Sequence, residues 1–137
     1  MQVSPYLMFN GRAEEAIEFY KKALGAKVEA LMHFKEAPAG PGMQPDAALA
    51  EKVMHAQFHV GATQVMASDG MCNGGGAAVF QGFSLAVQVA DDAEARHRFD
   101  ALADGGQVQQ PLIKTFFASS FGVVADRFGV SWMVVTV

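Results

Sequence analysis

Ala13-Glu14-Glu15-Ala16-Ile17-Glu18-Phe19-Tyr20-Lys21-Lys22-Ala23-Leu24-Gly25-Ala26-Lys27-Val28 is the stretch on which the fold turns, because a version of it returns later in the chain. Ala13, Glu14, Phe19, Ala23, Gly25 and Val28 recur eighty positions on as Ala93, Glu94, Phe99, Ala103, Gly105 and Val108. Within the first copy, Ala13, Ala16, Ile17, Tyr20 and Leu24 fall at spacings of three and four, which predicts a helix over 13–24 with one buried face. Glu14 and Glu15 sit in its first turn and Lys21 and Lys22 near its end, the order the helix dipole favours, and Gly25 supplies the left-handed stop. A second match, Gly61 to Met66 against Gly129 to Val134, has an offset of 68. The first half therefore carries an excess of twelve residues, placed in the segment around Pro38, Gly40, Pro41, Gly42 and Pro45.

Strands read outward from the two helices. Val3 to Phe9 precedes the first helix through an Asn10-Gly11 turn, and Ala26 to Phe34 follows it. A long loop over 36–52 comes next, with a helical turn near Ala47 to Glu51. Loops of that length in a compact domain serve as lids or pocket walls more often than as connectors. Val53 to Val60 and Thr63 to Ser68 form a hairpin over Gly61-Ala62. The second half repeats the order. Phe83 to Val89 is a strand, Asp91 or Asp92 caps a helix that buries Ala95, Phe99 and Leu102, and Gly105-Gly106 ends it. A short strand near Val108 precedes Phe121 to Ala125 and Ser131 to Val137, which are joined by a type I turn at Asp126-Arg127-Phe128-Gly129. The expectation is one α+β domain over 1–137 made of two βαβββ modules, 1–69 and 83–137, with a glycine-rich linker over 70–82. Duplication of this kind places a ligand pocket where the halves meet.

Composition narrows the function classes. The chain of 137 residues is 51% apolar and 18% charged, which suits a soluble core rather than a disordered chain. Its net charge of −4 is joined by no Lys/Arg stripe, so nucleic acid is not expected as a partner. No apolar run reaches the length of a membrane span, the first ten residues do not read as a signal peptide, and a single cysteine, Cys72, agrees with a reducing compartment. A cytoplasmic location is expected.

The segments Asn10 to Tyr20, Val53 to Ala56, Gly82 to Leu85 and Asp126 to Trp132 resemble the PhnB-like family over essentially the whole chain. That family is part of the vicinal oxygen chelate superfamily, with glyoxalase I, extradiol dioxygenases and bleomycin and fosfomycin resistance proteins. The resemblance implies two curled mixed sheets around a cup and, commonly, a homodimer. It also implies that a metal, where one is used, takes one His or Glu from the first and fourth strand of each module. Aligned on the helix starts and on the glycines before the fourth strands, those positions are Pro5, Val65, Ser84 and Met133. None is a usable ligand for a divalent cation, and neither are the flanking residues. The expectation is no metal and no other cofactor.

Other residues compete for a chemical role. His55 and His59 share a strand face but lie about 13 Å apart along it, too far to bind one metal. Hairpin pairing puts Phe58, Ala56 and Met54 on the presumed cup face and the two histidines on the other. Asp69 points into the cup by period two from Val65, as a rim carboxylate that orients a ligand, or else it opens an Asp-Gly turn. Phe116, Phe117, Ser119 and Ser120 combine aromatics with hydroxyls and form either a pocket wall or core followed by a bend. Trp132 faces a helix. Cys72 has no neighbouring base, and Gly74-Gly75-Gly76 lacks the context of a phosphate loop. The expected ligand-binding set is Phe9, Asp69, Ser84, Gln88, Phe117, Ser119 and Met133. The expected function is metal-free binding or sequestration of a small molecule. The alternative is a metal-dependent lyase, isomerase or dioxygenase. Relatives are often described as demethylubiquinone methyltransferases, yet too few helices alternate with too many strands here for the parallel sheet that usually holds a methyl donor.

Overall fold

The computed structural model describes residues 1–36, 49–70 and 77–137. Cys72, Gly74 to Gly76 and most of the 36–52 loop lie outside these residues. The chain divides into two compact units, Met1–Ala78 and Val79–Val137.

The first unit runs β1 (Tyr6–Met8), α1 (Ala13–Leu24), β2 (Lys27–His33), a single 3-10 turn (Phe34–Glu36), β3 (Val53–Val60) and β4 (Thr63–Ser68). Its sheet has the order β1-β4-β3-β2, with β1 parallel to β4 and the other pairs antiparallel. The second unit runs β5 (Leu85–Val89), α2 (Asp92–Ala103), β6 (Gln107–Ile113), β7 (Phe121–Ala125) and β8 (Ser131–Thr136). Its order, β5-β8-β7-β6, is the same mixed topology. Two helices and eight strands in two mixed four-stranded sheets make the α+β class expected from the repeat.

Local chemistry accounts for the boundaries. Gly25 closes α1 at φ 69°, and the amides of Gly25 and Ala26 bond back to the carbonyls of Lys21 and Tyr20. Asp91 caps α2 by accepting from the Glu94 amide at 2.8 Å. Pro111 is tolerated inside β6 because β6 is an edge strand, and the register slips on both sides of Gln110. Strand β1 is shorter than the Val3 to Phe9 expected, since pairing with β4 begins only at Tyr6.

Each helix covers one face of its own sheet. Tyr20 of α1 stacks on Phe58 of β3 with ring centroids 6.2 Å apart and packs against Phe9 at 6.3 Å. Leu7, Ala56, Val65 and Ala67 are buried on that same face. In the second unit Phe99 of α2 lies over Gly122 of β7, and Val124, Trp132 and Val134 are buried beside it. Burial also corrects the register of the repeat. The buried Ala16, Tyr20 and Ala23 of α1 correspond to Ala95, Phe99 and Leu102 of α2. The helices thus align at an offset of 79, so Phe99 is the counterpart of Tyr20 and not of Phe19.

Candidate functional site

With a helix on one side, the opposite face of each sheet is the one left for a ligand. In the second unit this open face carries Ala86 and Gln88 of β5 and Met133 and Val135 of β8. A shallow recess of about 550 Å³ gathers Ser84 and Met133 with Phe80, Phe83, Gln109 and Ser131. The hydroxyls of Ser84 and Ser131 share a hydrogen bond of 2.7 Å across its floor. Two expected ligand residues, Ser84 and Met133, therefore meet in one recess, and Gln88 is exposed further along the same face.

In the first unit the predicted faces are exchanged. Phe9 and Val65, and Ala56 and Phe58 of the expected cup face, lie beneath α1 together with Leu7 and Ala67. The open face instead carries Tyr6, His55, Gln57, His59, Gln64 and Met66. The β3–β4 connection has two residues, whereas β7 and β8 are separated by Asp126 to Val130, so Gly61 and Gly129 are not equivalent. Trp132 corresponds to Val65, one position off the glycine alignment, and period two turns that one residue into a change of face.

Asp69 is the second correction. It is 1% exposed and accepts the amides of Gly11 (2.6 Å) and Ala13 (3.2 Å) on Oδ1 and that of Val53 (3.1 Å) on Oδ2. It occupies the N-terminus of α1, whose own N-cap, Arg12, makes no side-chain bond there. Its oxygens are committed to the backbone rather than to a ligand. Ser119 is similarly committed: its hydroxyl donates to Asp92 at 2.6 Å and meets Thr136 at 2.8 Å, beside the start of α2. Phe117 is 56% exposed and makes edge contacts with Phe116 and Phe121, apart from the recess residues. Bonds from Ser119 and Ser120 hold the Asp92 carboxyl below its ordinary range.

Sequence reasoning missed the polar row on the first open face. Glu29 pairs with Nδ1 of His59 and accepts from Gln57 Nε2 at 2.9 Å, and Gln57 Nε2 also reaches Gln64 Oε1 at 3.2 Å. Tyr6 Oη and His55 Nδ1 are 2.8 Å apart. The signal was present in β3, where His55, Gln57 and His59 alternate with Ala56 and Phe58. Burial under a helix selects the apolar set, which leaves the histidines on the open side.

A metal site at the first and fourth strands finds no suitable donors on these faces. The paired open-face positions are Tyr6 with Met66 and Ala86 with Met133, which offer no imidazole or carboxylate. Among the described residues no group of three or more His, Cys, Asp or Glu is placed to hold a metal ion, and no helix is long and apolar enough to cross a membrane.

The fold is similar to that of glyoxalase/bleomycin resistance/dioxygenase domains. A domain of that description from Frankia sp. superposes with a TM-score of 0.66 at 15% identity, covering 99% of this chain and 91% of the other. The model of the family described as 3-demethylubiquinone-9 3-methyltransferase, the PhnB-like family, matches residues 1–135, and the chain belongs to that family. Protein PA1353 from Pseudomonas aeruginosa is 42% identical with a TM-score of 0.85, covering 99% of this chain and 97% of its own. The PhnB protein of Bacillus cereus, a putative methyltransferase by the same description, is 27% identical with a TM-score of 0.80 over the full length of both chains. Protein YjdN of Escherichia coli K12 is 36% identical, covering 98% of this chain and 94% of its own.

Proposed function

We propose that this chain binds a small organic molecule on the open faces of its sheets and does so without a divalent metal. The observation that carries the reading is the donor set at the paired first- and fourth-strand positions, where Tyr6, Met66, Ala86 and Met133 stand in place of metal ligands. The recess at Ser84 and Met133 supports it, since a lining shared about evenly between apolar side chains and hydroxyl and amide groups suits a ligand with both an apolar body and polar groups. Capture rather than turnover, a cytoplasmic location and a homodimer complete the proposal.

Methyl transfer, which the family description suggests, is not favoured by the geometry. A methyl donor is usually held at a glycine-rich turn between a first parallel strand and its helix. Here the amides at the start of α1 are taken by Asp69, and the sheet is mixed. Native mass spectrometry and metal analysis of protein purified without chelator test the proposal together. A copurified small molecule with far less than one metal per chain is the expected result. About one equivalent of zinc, iron, manganese or nickel per chain would overturn it.

A further inference from the structure

We infer that the recess of the second unit takes a neutral aromatic ligand with a carboxamide or lactam edge, read by the side-chain amide of Gln109 beside the paired hydroxyls of Ser84 and Ser131. The inference deepens the small-molecule reading and rests on it. No Asp, Glu, His, Lys or Arg lines the recess, whose polar side chains are Gln81, Ser84, Gln109 and Ser131. A bound ion would give up water there without meeting a counter-charge, a cost that a neutral ligand avoids. Gln109 is the extra residue of a bulge in β6, between Val108, paired with Val124, and Gln110, paired with Val123. A bulge turns its side chain out of the regular alternation of the strand, and this one lines the recess. The first unit has the same irregularity in β2, between Val28, paired with Phe58, and Ala30, paired with Gln57, and the extra residue there is Glu29. One module thus carries a carboxylate at its bulge and the other a neutral amide.

Hydrogen-bonding capacity defines the edge of the ligand. Among the described residues the Gln109 side chain has no partner, so its N–H donors and its carbonyl acceptor are both available. A carboxamide or lactam satisfies the two at once, its N–H donating to Oε1 and its carbonyl accepting from Nε2. A carboxylate has acceptors and no donor, which turns one of its oxygens against Oε1, and an ammonium group has donors alone and leaves Nε2 unmet. In the Ser84–Ser131 bond of 2.7 Å one hydroxyl hydrogen is used, and the other remains to donate to a further oxygen of the ligand. The body of the ligand is set by Phe83, 46% exposed, with Phe80 and the Met133 thioether in the same lining. Aromatic rings and a thioether both make favourable contacts with the face or edge of an aromatic ring.

The probes are benzamide, benzoate and the benzylammonium ion, which share one ring and differ in charge and hydrogen-bonding pattern. Titration into the isotopically labelled intact chain at neutral pH, followed by NMR, reads affinity and location together. Benzamide is expected to saturate with shifts centred on Ser84, Gln109 and Ser131, and each ion to bind about tenfold or more weakly, the effect of a lost hydrogen bond and an unmet polar group. Gln109→Glu is expected to weaken benzamide and to make benzylammonium the preferred probe, with an unchanged far-ultraviolet circular dichroism spectrum, since Glu29 occupies the equivalent bulge of the first unit. Benzoate or benzylammonium binding as tightly as benzamide, or an unaltered preference in Gln109→Glu, overturns the carboxamide reading and leaves small-molecule binding standing. The absence of shifts at the recess with all three probes overturns the inference as well, and joined to the absence of any copurified molecule it overturns the broader reading.

Discussion

Replacing Asp69 by alanine removes an acceptor from three buried backbone amides at once: Gly11 at 2.6 Å, Ala13 at 3.2 Å and Val53 at 3.1 Å. Each buried donor left unmet costs about 1–3 kcal/mol, and losing the cap of a helix costs about 0.5–2 kcal/mol. These contributions overlap, and a water entering the vacated space would recover part of them, so the expected loss is about 4 kcal/mol. That is a large fraction of the ~5–15 kcal/mol typical of a domain. Asp69→Asn keeps an oxygen for Gly11 and Ala13 but turns an amide group toward the Val53 N–H, and about half that loss is expected. Urea denaturation reads both variants. The signal can be assigned, because both tyrosines, Tyr6 and Tyr20, lie in the first unit while the single tryptophan, Trp132, lies in the second. The tyrosine-detected midpoint should fall well before the tryptophan-detected one. A loss below about 1 kcal/mol in Asp69→Ala, at an unchanged denaturant slope, would refute the view that this carboxylate ties β4, α1 and β3 together.

Three further expectations follow from the same geometry. A Cβ at Gly122 would sit 2.7 Å from Phe99 Cε2 and 3.1 Å from the Gln110 carbonyl, so Gly122→Ala should cost about 1–3 kcal/mol by overpacking; an unshifted tryptophan-detected midpoint would contradict it. His33 is bonded to Glu14 at 2.5 Å and Glu36 at 2.7 Å, which raises its pKa above the ordinary 6.5, Glu14 being the larger cause. A raised folded-state pKa means that the stabilisation is fully present below 6.5 and fades as pH rises through the folded-state value. Proton NMR should show the His33 midpoint falling further in Glu14→Gln than in Glu36→Gln, and equal midpoints in all three proteins would remove the Glu14 contact from the explanation. Calorimetry with S-adenosylmethionine should show no saturable heat, and stoichiometric binding would restore methyl transfer as a candidate activity.

Helix α1, its Gly25 stop, the Asp91 cap and the β3–β4 hairpin are all legible in the chain, because each depends on residues within a turn or two of one another. The repeat likewise discloses two modules of one topology. Its register is less legible. Identity matches Phe19 to Phe99, and only burial reveals that Tyr20 is the residue that fills the equivalent place under the sheet. The site suffers most from that ambiguity. Alternation in β3 separates Ala56 and Phe58 from His55, Gln57 and His59, yet period two is silent on which set a helix will cover.

What the sequence by itself determined is therefore local and periodic: two helices, their caps, the strand order, and a donor set at the first and fourth strands that lacks metal ligands on either face. Tertiary structure alone decided the rest. Packing of Tyr20 on Phe58 turned the histidines of β3 outward, and three amides from separate segments drew Asp69 out of the expected rim and into the core. The physical reason is common to both: burying apolar area and satisfying backbone donors are properties of groups brought together from distant parts of the chain.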